Sequence, residues 1–133
     1  MIGVRVGGED EFDDAFVTAI RQGAGALLVN PSIRFSLHRY RLVALAAIHR
    51  LPAMYSLPPF ITAGGLMSYG ANVDEAYRWL GIYTGRVLKG EKPADLPVVL
   101  PTKFDFVINL KTAKELGLGI PPLLHALATE VIE

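Results

Sequence analysis

Short β-rich runs alternate with amphipathic helical segments along almost the whole chain, with little more than a turn between one and the next. That alternation constrains the fold more than any other feature. Strands separated by helix-length segments pair in parallel, and the connecting helices pack on the sheet through right-handed crossovers. The expectation is an α/β domain with a parallel, doubly wound sheet of the Rossmann or flavodoxin-like kind. At 133 residues it is one domain, spanning 1–133.

Residues 2–6 read as a first strand, closed by Gly7 and Gly8. Glu9, Asp10, Glu11, Asp13 and Asp14 then open a helix, where carboxylates complement the helix dipole. Phe12, Phe16, Ala19, Ile20 and Gly23 fall on one face of it. Residues 26–30 form an apolar run of the kind buried on both faces of a parallel sheet. A helix over 35–50, a strand over 51–56, a short turn or helix between Pro58-Pro59 and Gly64-Gly65, and a strand over 66–69 follow. Asp74 is placed to cap a helix that ends near Gly90. Pro93, Pro97 and Pro101 mark the next stretch as a connector, and residues 104–109 alternate as a strand. A helix over 111–116 starts from Asn109 or Thr112 and stops at Gly117, and Pro121-Pro122 opens a last helix to about Glu130.

Half the residues are apolar, enough for a core. Thirteen basic residues balance thirteen acidic ones, so there is no general electrostatic pull toward nucleic acid or acidic membranes. The chain has no cysteine, which removes disulfides, thiolate metal sites and thiol nucleophiles. No apolar run approaches the roughly 18 residues of a membrane span. Met1 leads directly into the β-rich run, not into the charged and apolar regions of an export signal.

The polar clusters have plain explanations. Gly7-Gly8 matches neither dinucleotide nor phosphate-loop glycine patterns, and the carboxylates behind it would repel phosphate. The acidic run does not have the spacing of a calcium loop and reads as a solvated helix start. His38, His49 and His125 are scattered and suggest no metal set. Arg34, His38, Arg39 and Arg41 read as a solvated helix flank, with an anion site near Pro31-Ser32 as the lesser reading. Ser32, Ser36, Ser56 and Ser68 lack a nucleophile-elbow context. No cofactor, no metal and no catalytic residue is expected.

In a parallel α/β sheet, ligands sit beyond the carboxyl ends of the strands. Three loops therefore matter: residues 30–32, 56–60 and 69–72. Phe60, Tyr69 and Asn72 offer rings for apolar contact and an amide for orientation, as a small-molecule site requires. Phe60 and Tyr69 read equally well as caps on the core.

Three stretches carry a resemblance. Gly64 to Asn72 reads GGLMSYGAN, Leu88 to Val98 reads LKGEKPADLPV, and Pro101 to Lys114 reads PTKFDFVINLKTAK, followed by Leu116-Gly117 and Ile120-Pro121-Pro122. This series resembles the C-terminal half of the ABC-transporter substrate-binding protein family that includes tryptophan- and tyrosine-binding members. The resemblance implies one lobe of a type I periplasmic binding protein, a solute-binding component of an uptake system, and not an enzyme. It implies a small organic solute such as an amino acid or aromatic compound, an ABC permease as partner and a periplasmic location; the chain complete as given would be cytoplasmic. By the same analogy, residues 74–90 are a helix of the other lobe and 91–103 the return crossing. The helix would then expose Tyr77, Trp79, Leu80 and Tyr83, and a homodimer through that surface is the expectation. Carried onto matching positions, Ser32, Ser56, Tyr69 and Asn72 face the cleft, with Phe60 as a stacking surface. The loop 30–33 reads Asn-Pro-Ser-Ile, without the carboxylate that amino-acid-binding members use for the ammonium group. The competing readings are a small regulatory or enzymatic module on a flavodoxin-like fold, since fold alone does not fix function, and a degenerate fragment without binding.

Overall fold

The structure is a computed structural model and describes residues 2–133. A five-stranded sheet has the order β1-β2-β3-β4-β5, with β1 Leu27–Leu28, β2 Ala53–Tyr55, β3 Met67–Ala71, β4 Phe104–Asn109 and β5 Glu130–Ile132. Helices α1 (Phe12–Arg21), α2 (Ile33–Leu37), α3 (Arg39–Ile48), α4 (Pro59–Thr62), α5 (Val73–Leu88), α6 (Leu110–Glu115) and α7 (Pro122–Leu127) fill the intervals.

The α/β class holds, and three of the four strand pairs are parallel. The pair β3–β4 is antiparallel, so the sheet is mixed and not wholly parallel as expected. The cause lies in the excursion between these strands. The chain leaves the sheet at Ala71 and returns at Phe104, and these two residues are register partners. The Asn72 N–H donates to the Lys103 carbonyl at 3.0 Å, and the Lys103 N–H donates to the Glu75 carboxylate at 3.2 Å. A strand that re-enters beside the point of exit has to run the other way.

One face of the sheet carries the core. Register places Val29, Ala53, Tyr55, Ser68 and Val107 on that face, all buried. Phe12 and Phe16 of α1, Leu42, Val43, Leu45 and Ala46 of α3, and Phe60 and Ile61 of α4 pack against it. Phe12 and Phe16 are the pair that helical spacing assigns to the inner face of α1.

Four expectations are corrected. Residues 2–6 are not a strand; Val6 packs against the core, but no neighbouring strand offers hydrogen bonds to this segment. The helix over 35–50 is two helices, broken at His38, whose backbone (φ −100°, ψ 22°) leaves the helical region. The cap of α5 is Asn72, not Asp74: its Oδ1 accepts from the Glu75 N–H at 2.8 Å. The last helix ends at Leu127, and Glu130–Ile132 pairs with β4 as a fifth strand. Gly117 does stop α6, in the left-handed region at φ 74° where glycine carries no Cβ penalty.

The acidic run and the basic cluster answer one another. Arg41 reaches Asp13 at 2.6 Å and Glu9 at 3.3 Å, and His38 Nδ1 lies 3.0 Å from Glu9. The hydrogen bond to Asp13 holds the Arg41 guanidinium above its ordinary pKa. These groups clip the start of α1 to α3, so His38 and Arg41 of the basic cluster are engaged by the acidic run. Among the described residues, no group of three or more metal-ligating side chains converges. Among the described residues, no helix is long and apolar enough to cross a membrane.

Tyr55 is a buried liability in this core. Its ring stacks on Phe60 at 4.7 Å, and neither its hydroxyl nor that of Ser68 has a partner among the described residues. An orphaned buried hydroxyl costs free energy, so Tyr55→Phe is expected to raise stability by about 1 kcal/mol, measured by urea denaturation. Burial also pushes the phenol well above its ordinary pKa of 10.0. The unfolded phenol therefore ionises first, and stability falls as pH rises past 10.0. The same fall should be shallower in Tyr55→Phe.

Candidate functional site

Because β1, β2 and β3 run parallel, their carboxyl ends lie together. A cleft of about 380 Å³ opens there. Asn30 and Pro31 after β1, Ser56 and Leu57 after β2, and Tyr69 and Gly70 at the end of β3 are in its wall. No charged side chain lines it. A smaller depression of about 200 Å³ lies at the opposite ends of the strands, between α3 and α6.

Tyr69 gives the cleft an aromatic wall. Its ring stacks on Phe104 at 5.5 Å with planes 7° apart and meets the edge of Phe106 at 6.2 Å. Register explains the cluster, since Tyr69 pairs with Phe106 and sits diagonally from Phe104 on the same face. Half of Tyr69 remains exposed, at 50%. The ring is thus braced from behind and free in front, the arrangement that receives a flat apolar solute.

Gly70 sets the depth of the cleft. A Cβ at this position would collide with the Ser56 carbonyl oxygen. Only glycine allows β3 to run this close to the loop after β2.

The five residues singled out from sequence divide. Ser56 and Tyr69 line the cleft. Ser32 is exposed at the start of α2, where its carbonyl accepts from the Ser36 N–H and hydroxyl, and it stands outside the lining. Asn72 is fully engaged in the frame. Its Nδ2 donates to both Asp105 carboxylate oxygens at 3.0 Å while its Oδ1 caps α5. Phe60 is no stacking surface for a solute; it is 2% exposed and faces Tyr55 in the core. Sequence reasoning singled out the loop that holds Gly70 but not its steric role, and missed Leu28 and Phe104. The signal for Phe104 lay in alternation along β4, but which strand face would stay open depends on the neighbours.

Asn72 holds the excursion to the sheet, so Asn72→Ala is expected to cost about 1 kcal/mol, the usual price of losing a helix cap. Native-state hydrogen exchange should show the loss as faster exchange in the first turn of α5.

Among known proteins, the family model for ABC transporter substrate binding proteins matches residues 13–132. The crystal structure of the ABC domain in complex with L-Trp from Streptococcus pneumonia is similar at TM-score 0.83 and 28% identity, over 96% of this chain and 44% of that one. A conserved domain protein from Vibrio cholerae shares the fold at TM-score 0.79 and 20% identity, over 92% of this chain and 41% of that one. So does CD0873, a substrate binding protein with adhesive properties from Clostridium difficile, in its ligand-free, open structure, at TM-score 0.65 and 18% identity, over 98% and 43%. The chain thus spans less than half the length of these solved proteins. No curated protein matches it.

Proposed function

Because the chain belongs to the ABC transporter substrate-binding protein family, we propose that it forms one wall of a solute site and binds a small apolar or aromatic molecule for an ABC-type uptake system. The observation that carries this reading is the uncharged cleft at the carboxyl ends of β1 to β3, with the braced ring of Tyr69 in its wall. The L-Trp bound by the pneumococcal protein supports an aromatic solute. The lining departs from an amino-acid site in one respect: it offers no carboxylate for an ammonium group, whose burial without a partner is costly. The solute therefore presents an uncharged, flat part to this wall. Ser56 hydrogen-bonds to it and Tyr69 stacks on it, while Ser32 lies outside the lining and Asn72 holds the frame.

The partners follow from the same reading. An ABC permease receives the solute, and the protein works on the outer side of the membrane, in the periplasm or its equivalent. Helix α5 and residues 91–103 act as an excursion away from the lobe: α5 has no buried residue, and the connector packs on it through Tyr83, whose hydroxyl donates to the Pro97 carbonyl at 2.6 Å. Such a helix is an association surface for a homodimer, with Tyr77 and Leu80 exposed on it and the half-buried Trp79 and Tyr83 beside them.

A thermal-shift screen tests the solute. A ligand that prefers the native state raises the Tm, by an amount that grows with concentration over Kd. Indole, L-tryptophan, L-tyrosine and neutral aromatic amides are the probes. The expected result is a shift with indole or the amides that Tyr69→Ala abolishes. No shift with any of them at millimolar concentration overturns the reading.

A further inference from the structure

The depression at the amino ends of the strands plays no part in the solute reading. Its volume is about 200 Å³. A dry apolar cavity of about 150 Å³ holds benzene, so there is room here for one ring with a short substituent. Val43 and Ala46 of α3, Leu51 and Ala53 at the entry to β2, Leu66 before β3 and Leu116 after α6 make its apolar surface. The walls are bonded to one another. The Thr112 hydroxyl of α6 donates to the Gly64 carbonyl at 2.9 Å, and the Asn109 N–H donates to the Leu66 carbonyl at 2.9 Å. The shape is thus set by internal elements of the chain.

Tyr55 also lines the depression. Its backbone lies in β2 beside Ser68, but its ring runs back toward the amino ends of the strands. A Cβ on Gly65 would lie 2.8 Å from Tyr55 Cε2, 3.1 Å from Cδ2 and 2.7 Å from the Phe60 carbonyl oxygen. Cε2 adjoins the carbon that carries the hydroxyl, so the phenol end of the ring rests against the Gly64-Gly65 turn. Gly65 admits it there, since a side chain at this position would meet the ring and the backbone at once.

The Tyr55 hydroxyl is shut off from bulk water and has no partner among the described residues. Burial raises its pKa, so at neutral pH it remains a hydrogen-bond donor. A buried donor without an acceptor is uncommon in folded proteins and costs free energy. Phenylalanine would fill the same space without that cost. The rim, in turn, adds no net charge. Arg50 and Glu115 are the charged side chains of the lining, both exposed, and neither forms an ion pair among the described residues. One of each sign, they select neither a cation nor an anion.

We propose that this depression is a second small-molecule site, which takes a neutral, ring-sized compound whose oxygen accepts a hydrogen bond from the Tyr55 hydroxyl. Aromatic ketones, aldehydes and esters have that chemistry. The apolar surface receives the ring, and the acceptor satisfies the one donor at the floor that the protein leaves unmatched. Tyr55 apart, the residues that line this site and the solute cleft are different, so the inference does not rest on the solute reading.

Amide NMR titrations with acetophenone and with ethylbenzene test it. The two compounds have nearly the same shape, and only acetophenone carries an acceptor. The expected result is that acetophenone shifts the amide signals of Gly64, Gly65 and Leu116. The ratio of its affinity to that of ethylbenzene should fall about fivefold in Tyr55→Phe. That variant keeps the ring and is expected to fold at least as well as the parent, so a lost preference reads the hydroxyl and not the fold. Ala47→Trp, at an exposed lining position of α3, should abolish the shifts from both compounds. Shifts confined to Ser56, Leu57 and Gly70 would place the ketone in the cleft and overturn the second site. No shift at millimolar concentration would overturn it as well. An affinity ratio that Tyr55→Phe leaves unchanged overturns recognition by the hydroxyl.

Discussion

Phe60→Ala should lower the unfolding free energy by about 3 to 5 kcal/mol, the cost of deleting a fully buried ring. A domain of this size has about 5 to 15 kcal/mol in total. The variant is therefore expected to sit near the edge of folding, with a urea midpoint far below that of the parent. Phe60 is 2% exposed, its ring lies 4.7 Å from Tyr55 with planes 15° apart, and α4 presents it to the core beside Ile61. Little of that cost is recovered by collapse, because Tyr55 is itself held against Gly65. The experiment also separates two roles. A ring that stacked on solute would lose binding on truncation and keep stability, whereas the core ring loses stability first. Phe60→Leu keeps most of the volume and should recover more than half of the loss.

Gly70→Val is expected to cost about 3 kcal/mol and to abolish the thermal shift produced by aromatic solutes. The added Cβ meets the Ser56 carbonyl, which is backbone and cannot rotate away. Overpacking of this kind costs about 1 to 3 kcal/mol even where side chains can yield. Either β3 moves off the loop after β2 or that loop moves into the cleft, and both change the wall that Ser56 and Tyr69 share. Gly81→Ala is the matched control. It lies inside α5 with open space around the new methyl group, so it should stabilise by up to about 1 kcal/mol and leave solute binding unchanged. An unchanged thermal shift in Gly70→Val would mean that the solute does not use this end of β3.

The two substitutions mark the boundary between local and tertiary information in this chain. Chain-local physics was legible. The alternation in Phe104–Asn109 identifies β4 to the residue, Gly117 marks the end of α6, and of the two start signals, Asn109 and Thr112, it is Asn109 that accepts, from the Thr112 N–H at 3.0 Å. Phe12 and Phe16 could be assigned to the core because helical spacing puts them on one face. The three loops around the cleft could be located because parallel strands gather their ends.

Partners far apart along the chain were not legible. Arg41 finds Asp13 and Glu9 across intervals of 28 and 32 residues, and no local pattern announces it. Phe60 and Tyr69 are both aromatic residues in loops or strand ends. One stacks inside the core and the other stands half exposed, because α4 folds onto one face of the sheet while Tyr69 points from the opposite one. Residues 2–6 have the composition of a strand and are not one, because a strand exists only through hydrogen bonds to a neighbour and none is offered there. Residues 130–132 are a strand at the end of a helical reading because β4 presents a free edge to them. By itself the sequence determined the order and kind of most elements, since periodicity and caps act within a few residues. The tertiary structure alone decided strand direction, which sheet face receives α1, α3 and α4, and which rings reached the cleft, since each depends on what another part of the chain leaves uncovered.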